Sequence, residues 1–294
     1  MIDRLEMFIA LARERHFGRA AESLGVTQPS LSAAIRQLED QLGVQLVFRG
    51  SRFQGLTPEG QRVLDWALRI VGDVRTLREE MRALKSGVSG NLRLGVIPTA
   101  LPMVARLTEP FLTRNPNVRV TVLSMTSYEI LDAIEKLTID AGVTYLENEP
   151  LGRVEKVPLH VERYELLVAS SSPLAGQPEV TWEEVAAQPL CLLTGNMQNR
   201  RIINQHLASV GVSPAPTVES NSSIALVAHV ATGRWASVVP MTLAEMFGTG
   251  SGVAAVPIAD RGAKHVVGLI AAWREPHTPL LSALLDEARR IARV

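Results

Sequence analysis

The apolar pattern of the chain changes character once, at residues 87–90, which read Gly-Val-Ser-Gly. Before this stretch, apolar residues recur every three or four positions, which is the period of amphipathic helices. After it, short β-branched runs such as 92–97 and 118–123 alternate with helical segments, as in βαβ units with a mainly parallel sheet. One layered core cannot satisfy both patterns. The sequence therefore predicts a helical N-terminal region and a larger α/β C-terminal region.

Composition narrows the class of protein. The 294 residues are 46% hydrophobic, and 30 basic residues balance 30 acidic ones, so a polyanion would have to be bound by a local patch. The single cysteine, Cys191, excludes an intramolecular disulfide, and the scattered histidines do not predict a metal site. Residues 1–6 do not resemble a signal peptide, and nowhere do about 18 apolar residues run together. We expect a cytoplasmic protein without a membrane span, catalytic residues, metal or cofactor.

The first 43 residues predict three helices. The apolar residues Leu5, Phe8, Ile9 and Ala12 have the spacing of a first helix. Gly18 interrupts this apolar run, and the helix is predicted to end near Arg15. A short helix over 19–24 is closed by Gly25, because glycine adopts the left-handed backbone that ends a helix. A third helix begins at Thr27, which can cap it, has Pro29 in its first turn, and ends at Gly43. The short connection between the second and third helices is typical of a helix-turn-helix.

This third helix has the composition of a DNA recognition helix. Residues 44–48 and 53–56 are predicted to be strands of a wing whose tip, 49–52, carries arginines. We expect Arg19, Arg49 and Arg52 to contact phosphate groups or the minor groove. The residues expected to start the recognition helix or to read bases are Thr27, Gln28, Pro29, Ser30, Ser32 and Arg36. The alternative is a helical protein–protein module with solvated arginines.

A long helix is predicted from Pro58 to about Lys85, capped by Thr57. Its apolar residues alternate spacings of four and three over about three heptads: Val63, Ala67, Ile70, Val74, Leu77, Met81 and Leu84. A narrow seam of this period favours pairing with the same helix of a second chain. The alternative is packing against other parts of the same chain.

The α/β region is predicted to form two similar lobes, with a late return of residues 266–272 and the helix 280–291 to the first lobe. Open α/β lobes bind ligands at the carboxyl ends of their strands, here in the cleft between lobes. Hydroxyl and amide residues beside helix starts could bind a small anion there, in the segments 98–100, 126–127, 194–199 and 221–223. These segments include Ala100 and Ser222. The alternative for each segment is that it only caps a helix.

The chain resembles the LysR-type transcriptional regulators over its whole length. The resemblance is most specific in the N-terminal winged helix-turn-helix, where the matching residues are Phe8, Phe17, 19–21, Leu24, 26–32, Ile35, 38–39, 42–43, 46–49 and 56–60. His16 replaces the small polar residue that usually precedes the phenylalanine, and Ala33 replaces a larger polar residue. Ala33 puts one base contact of the family in doubt.

The resemblance implies three regions. A winged helix-turn-helix over 1–57 is followed by a linker helix and hinge over 58–90. A periplasmic-binding-protein-like effector domain over 91–294 has lobe I at about 91–161 and 266–294 and lobe II at about 162–265. The fold class is α/β overall.

The resemblance also implies a cytoplasmic homotetramer that binds promoter DNA, with RNA polymerase as a further partner, and a small-molecule coinducer in the cleft. Carried over by position, the effector contacts are Thr99, Thr126 or Ser127, Tyr145, Met197, Gln198 and Asn199. We expect a small carboxylate as effector. Scattered residues such as Tyr145 and the three that follow it resemble regulators of formate and one-carbon oxidation genes.

Two other classes of protein compete with this interpretation. An enzyme is disfavoured because the sequence has neither a GxSxG motif around a serine nor a glycine-rich phosphate loop. A solute-binding receptor would explain the two lobes, but it would need a signal peptide and has no use for the first ninety residues. A gel shift on DNA upstream of the neighbouring operon distinguishes all three classes.

Overall fold

The computed structural model of the chain describes residues 1–48, 53–147, 149–247, 252–259 and 265–292. They belong to two compact units, one formed by Met1–Gly87 with Pro276–Pro279 and the other by Val88–Glu275 with Leu280–Val294. We call them the N-terminal and C-terminal units. Among the described residues, no helix combines the length and the apolar character needed to cross a bilayer.

Four helices build the N-terminal unit: α1 (Ile2–Glu14), α2 (Phe17–Ser23), α3 (Gln28–Leu42) and α4 (Pro58–Ser86). Leu5 and Phe8 are buried as predicted. Ile9 and Ala12 are only half-buried, and the buried face of α1 is completed by other residues, Ala10 and Leu11. The face is shifted because α1 packs against α2, α3 and α4 together, which covers more than one helical stripe.

α1 ends at Glu14 with Arg15 as its C-cap, as predicted, but α2 begins at Phe17, two residues before its predicted start, and runs through Gly18. Arg15 takes a left-handed backbone with φ 50°, and the Nδ1 atom of His16 accepts from the backbone N–H of Gly18 (3.1 Å) and of Arg19 (3.3 Å). An imidazole nitrogen thus serves as the N-cap of α2, the task of the small polar residue usual at this position. Gly25 (φ 67°) and Gly43 (φ 70°) follow α2 and α3 as predicted.

The two wing segments pair less than predicted. Only a single antiparallel bridge, Val47 with Leu56, joins them within the described residues. The backbone N–H groups of Leu46 and Val47 donate instead to the carboxylate of Glu39, at 2.8 and 3.3 Å. Because α3 already accepts hydrogen bonds from these two N–H groups, they do not need partners on the opposite strand of the wing.

Thr57 joins the wing to the start of α4. Its hydroxyl donates to the Gln45 carbonyl at 2.6 Å and accepts from the Gly60 N–H at 2.9 Å. A Cβ at Gly60 would lie 2.0 Å from the Leu46 carbonyl oxygen, so only glycine permits this approach. Thr57 therefore caps α4 as predicted and also fixes the position of the wing against the start of this helix.

Lobe I of the C-terminal unit is a five-stranded sheet in the order β2-β1-β3-β10-β4. Its elements are β1 (Gly90–Val96), α5 (Leu101–Arg114), β2 (Val118–Ser124), α6 (Ser127–Glu135), β3 (Ala141–Tyr145), β4 (Val154–Glu162), β10 (His265–Ala272) and α11 (Pro279–Ile291). A short 3₁₀ helix, Pro98–Ala100, connects β1 to α5. The carboxyl ends of the parallel strands β1, β2 and β3 share one edge of the sheet.

Lobe II has a three-stranded sheet in the order β8-β5-β9 and a parallel pair β6-β7. Its elements are β5 (Tyr164–Ala169), α7 (Trp182–Ala186), β6 (Cys191–Leu193), α8 (Gln198–Ser209), β7 (Val218–Ser220), α9 (Ser223–Ala231), β8 (Ser237–Pro240), α10 (Met241–Ala244) and β9 (Val253–Pro257). Side chains alternate along β5: Leu166 and Val168 join the core shared with lobe I, and Leu167 joins a second cluster with Cys191 and Leu226.

The expected mainly parallel arrangement is wrong in part. In lobe I, β10 runs antiparallel to both of its neighbours, and in lobe II β5 runs antiparallel to both β8 and β9. The reason is that the chain changes lobe at Arg163, between β4 and β5, and returns before β10. A strand that arrives from the opposite lobe enters its sheet from the opposite end.

Candidate functional sites: a recognition helix and an interlobe cleft

The N-terminal half of α3 presents a polar, exposed surface. Gln28, Pro29, Ser30 and Arg36 are exposed, and Ser32 is half-buried. We call these five residues the recognition surface. The opposite side of α3 buries Leu31, Ile35 and Leu38 in the core of the unit. The helix is therefore held by its apolar side while side chains able to contact base edges face solvent.

Thr27 and Arg19 both have local partners. The hydroxyl of Thr27 accepts from the Ser30 N–H at 3.3 Å and lies 2.8 Å from the Ser30 hydroxyl, so it acts as the predicted N-cap. The exposed Arg19 donates through one terminal nitrogen to the Glu14 carbonyl at 2.8 Å, which positions its guanidinium at the end of α1. The predicted phosphate contacts Arg49 and Arg52 lie outside the described residues.

Exposure of the α4 seam rises along the helix. Ala67 is fully buried in the core of the N-terminal unit, and Val63 and Val74 are half-buried. Leu77 is 56% exposed, and farther along Leu84 reaches 80%. The second half of the helix thus presents an apolar stripe to solvent, a feature that marks an interaction site in soluble proteins.

In the C-terminal unit, side chains from both lobes meet in one small pocket. The predicted contacts that line it are Thr99, Ser127, Tyr145, Met197, Gln198 and Asn199, together with Ile97, Pro98 and Leu193. Its volume is about 10 Å³, room for about one water molecule. We call this pocket the interlobe cleft; in this structure its walls are closed upon each other.

The remaining predicted contacts lie elsewhere. Ala100 is fully buried in the core, and Ser222 is exposed ahead of α9. Thr126 forms a capping box with Glu129, in which its hydroxyl accepts from the Glu129 N–H while the carboxylate accepts from the Thr126 N–H. For Thr126 the capping alternative describes the geometry, and the neighbouring Ser127 is the residue that lines the cleft.

Hydrogen bonds from the start of α8 cross the cleft and connect the lobes. Gln198 Nε2 donates to the Glu147 carbonyl at 3.1 Å, and Asn199 Nδ2 donates to the Tyr145 hydroxyl at 3.0 Å. At the rim, Arg201 Nε donates to the Glu149 carboxylate at 2.7 Å, and Ser127 Oγ lies 3.2 Å from the same carboxylate. These three donors, Gln198, Asn199 and Arg201, all lie in the first turn of α8.

Three polar atoms in the cleft lack a hydrogen-bond partner among the described residues: Thr99 Oγ1, Gln198 Oε1 and Asn199 Oδ1. Their residues are at most 3% exposed. Gln198 must direct its carbonyl oxygen away from Glu147, since its amide nitrogen already donates to a carbonyl there. Leaving buried polar groups unpaired costs about 1–3 kcal/mol each, so a ligand or water molecule that pairs with these atoms would be bound favourably.

A buried carboxylate lies behind the cleft. Glu162, the last residue of β4, accepts through Oε2 from the hydroxyl of Tyr145 and from that of Tyr164, the latter at 3.1 Å. Burial raises the pKa of Glu162 to about 7, and the two tyrosine hydrogen bonds offset this only in part. Burial and the neighbouring Glu162 also raise the pKa of Tyr145, which keeps its hydroxyl protonated at neutral pH. Tyr145 therefore donates to Glu162 and accepts from Asn199, which links the carboxylate to the cleft.

No group of three or more His, Cys, Asp or Glu side chains suited to a metal ion occurs in the part of the chain that the structure describes.

Comparison with known families decides the identity. Residues 2–61 match the model of the bacterial regulatory helix-turn-helix protein, lysR family, and residues 85–293 match the model of the LysR substrate binding domain. The chain belongs to the LysR family. It is accordingly a DNA-binding transcriptional regulator with an effector-binding domain, and the fold class inferred from the sequence is confirmed.

Similar proteins are named for the genes they control. The chain is 33% identical over 190 residues to the hydrogen peroxide-inducible genes activator of Pectobacterium carotovorum, covering 64% of this chain and 63% of that protein. It is 26% identical to the protein of that name in Haemophilus influenzae, covering 98% and 97% of the two chains. It is 29% identical to the dual regulator OxyR of Escherichia coli, covering 95% and 90%.

Solved structures share the fold. A full-length OxyR variant from Pseudomonas aeruginosa has a TM-score of 0.76 at 24% identity, over 98% of this chain and 97% of that one. Full-length CbnR in complex with its target DNA has a TM-score of 0.65 at 24% identity, over 99% of both chains.

Sequence reasoning missed the residues that connect the lobes. Glu162 and Tyr164 flank the lobe crossover, and Glu149 and Arg201 pair across the rim. A signal for the first pair was present, since Glu162 and Tyr164 flank a single residue where one predicted strand set ends and the next begins. No local signal identifies the second pair, because its members lie 52 residues apart.

Proposed function

We propose that this LysR-family regulator reads its operator through the recognition surface and senses a small metabolite in the interlobe cleft. The observation that carries the first half is the exposure of Gln28, Ser30 and Arg36 on a helix anchored by its apolar side. Glutamine and arginine form bidentate hydrogen bonds with adenine and guanine edges. CbnR, which shares the fold, is known in complex with its target DNA.

Phosphate contacts complete this half of the proposal. Arg19 is exposed at the start of α2, and Arg49 and Arg52 are proposed to make the wing contacts. Losing one such arginine should weaken binding to every DNA sequence and flatten its salt dependence, because fewer counterions are released. A base contact should instead alter discrimination between sequences.

The exposed half of the α4 seam supports a homodimer, with a tetramer as the full assembly. A twofold pair of chains would present two recognition helices to a near-palindromic site. Leu77→Asp places a charge in the apolar stripe and should abolish dimerisation, as measured by analytical ultracentrifugation at low micromolar concentration. The exposed Arg78→Asp, one position along, is the matched control. A Leu77→Asp protein that still dimerises would locate the interface elsewhere.

The ligand proposed for the cleft is a small anionic metabolite, such as a short carboxylate. Its charge would be met by backbone N–H groups of the first turn of α8, whose N-cap position holds the thioether Met197, and by the hydroxyls of Thr99 and Ser127. The unpaired carbonyl oxygens of Gln198 and Asn199 favour a ligand that also donates a hydrogen bond, as a hydroxy acid does. The predicted contacts Ala100, Thr126 and Ser222 are not used.

Regulation then follows from cleft geometry. A volume of about 10 Å³ admits no metabolite, so binding requires the bonds from Gln198, Asn199 and Arg201 to loosen. A ligand shifts a population only if it prefers one arrangement of the lobes. The experiment is calorimetry with short carboxylates and hydroxycarboxylates on wild type and Gln198→Leu, followed by footprints with and without the bound compound. Unchanged binding to Gln198→Leu would remove this residue from the site, and an unchanged footprint would contradict the coupling.

We do not expect this protein to sense hydrogen peroxide through a cysteine, although its relatives are named as activators of peroxide-inducible genes. Peroxide reacts with exposed thiolates, and the single cysteine, Cys191, is fully buried with its Sγ 3.8 Å from the Leu226 carbonyl. Burial raises the pKa of this thiol, which lowers its thiolate fraction further. We expect peroxide to leave the operator footprint unchanged, and Cys191→Ala to bind DNA like wild type.

The comparisons do not identify the genes that this regulator controls. The reported relatives are named for peroxide-inducible genes, so the expected control of formate or one-carbon oxidation genes finds no support in them. Action in the cytoplasm and contact with RNA polymerase are part of the proposal for a regulator of promoters.

A further inference from the structure

A second pocket lies where the chain crosses between the lobes. Its volume is about 370 Å³, within the usual range for small-molecule sites and far larger than the interlobe cleft. We call it the crossover pocket. Its lining comes from the first crossover (162–165), from α7 and α8, from the approach to the second crossover (257–259), and from Glu179, Met241 and His265. Both lobes and the first crossover therefore contribute to one pocket.

The inner wall of the crossover pocket is aromatic. The ring of Trp182 stacks on that of His206, with centroids 4.5 Å apart and planes 3° from parallel. His206 Nε2 lies 2.9 Å from Nε2 of His265, and Tyr164 meets both imidazoles with centroid distances of 6.0 and 5.7 Å. In an N–H···N bond between two imidazoles, one ring donates and the other accepts.

Acidic side chains predominate among the described residues of the pocket. Glu162, Glu165 and Glu179 are its carboxylates, and Arg163 is the one guanidinium among these described residues. Glu162 is 4% exposed, and its Oε1 atom has no hydrogen-bond partner among the described residues. A buried carboxylate oxygen without a donor is costly, and the group that best satisfies it is a charged N–H donor.

We propose that the crossover pocket binds a small organic cation, an amine or a protonated nitrogen heterocycle, whose charge is balanced by the carboxylates that line the pocket, with Glu162 at its inner end. The aromatic wall formed by Tyr164 and the Trp182–His206 stack suits a flat cationic group, since rings attract cations. Burial is the main cause of the raised pKa of Glu162, which is about 7. A positively charged ligand nearby would stabilise the ionised carboxylate.

This site is separate from the one proposed for the anionic effector, but the two are connected. Glu162 Oε2 accepts from Tyr145, and Tyr145 accepts from Asn199 in the interlobe cleft. A cation in the pocket would favour the charged form of Glu162 and so strengthen the contacts that keep Tyr145 and Asn199 in place. The regulator would then respond to two ligands of opposite charge.

The test is calorimetry on the full-length protein at about pH 8, where Glu162 is mostly ionised. The probes are benzylammonium, its neutral isostere benzyl alcohol, and benzoate. Benzylammonium should bind at one site and at least about tenfold more tightly than the other two. Equal affinity for the cation and the alcohol, or no detectable heat with benzylammonium up to about 10 mM, would overturn the proposal.

Variants assign the binding to Glu162. Glu162→Gln keeps an acceptor for both tyrosines and removes the charge, so it should lose about tenfold in benzylammonium affinity and nothing in benzyl alcohol affinity. Glu109→Gln, on the exposed side of α5, is the matched control and should bind like wild type. Full affinity in Glu162→Gln would place the cation elsewhere.

A second variant guards against misfolding of the first. Ala259→Phe fills the crossover pocket from its half-buried rim without touching the Glu162 hydrogen bonds, and it should abolish binding of benzylammonium. Retained binding would contradict the proposal. Thr99→Val, in the interlobe cleft, should leave benzylammonium binding unchanged, which separates failure of this site from failure of the effector site.

Discussion

The recognition surface and the interlobe cleft represent opposite ways of building a binding site. Gln28, Ser30 and Arg36 are exposed on a single helix whose other side is packed in the core. The cleft residues Thr99, Tyr145 and Asn199 are buried and come from distant segments, and Asn199 donates to Tyr145 of the opposite lobe. The first site should therefore be altered without cost to the fold. In the second, a change at Tyr145 or Asn199 should also change stability.

The largest expected effect lies behind the cleft, at Glu162. Its folded pKa is raised from 4.5 to about 7, so the folded state binds more protons than the unfolded state between these values. The stability from this group is fully present below about pH 4.5 and is lost as the pH rises through about 7, a change of about 3 kcal/mol.

Glu162→Gln does not titrate, so the wild type should lose stability relative to this variant between about pH 5 and pH 8. Thermal unfolding at both pH values measures the difference. The control variant Glu109→Gln, at an exposed position, should have the thermal stability of the wild type at both pH values. Parallel pH profiles for wild type and Glu162→Gln would show that the buried carboxylate is not the titrating group.

At the recognition surface, Gln28→Ala and Arg36→Ala should each reduce discrimination between operator and random DNA by about 1–3 kcal/mol. Because both side chains are exposed, the melting temperature should not change. Gel shifts on both DNAs, with a thermal melt of each variant, check the two statements. Equal affinity loss on both DNAs would mean contact with phosphate and not with bases.

Asn199→Ala tests the opposite behaviour in the cleft. It removes the donor to the Tyr145 hydroxyl (3.0 Å) and should cost about 1–2 kcal/mol of unfolding free energy. Asn196→Ala is the matched control, since Asn196 is exposed one turn before and bonds only with Thr194 among the described residues. Chemical denaturation compares them. If both variants unfold like wild type, the contrast between an exposed and a buried site is lost.

The smallest effect separates two threonines that the sequence placed in the same site. Thr99→Val removes a buried hydroxyl that has no partner in the described structure, so stability should be unchanged or rise by up to about 1 kcal/mol. Thr126→Val removes the cap of α6 and should cost about 1 kcal/mol. Melting temperatures measured together decide the sign. A loss in Thr99→Val larger than in Thr126→Val would mean that Thr99 supports the fold and not a ligand.

The sequence by itself determined the features that depend on neighbours a few residues apart. Gly25 and Gly43 end their helices, and Thr27 and Thr57 begin theirs, because capping hydrogen bonds and left-handed backbone are local properties. The heptad spacing of α4 and the strand ends at Thr99 and Ser127 were readable for the same reason. The start of α2 at Phe17 was predicted two residues too late, since an imidazole such as that of His16 is an uncommon cap.

Tertiary structure alone decided which distant groups meet. Asn199 and Tyr145 are 54 residues apart in the chain, and Arg201 and Glu149 are 52 apart. Their contact depends on the order of strands, on the two lobe crossovers and on how far the cleft is closed. No periodicity encodes these features. The burial of Glu162 is of the same kind, because a carboxylate at the end of a strand becomes buried only when a second lobe packs over it.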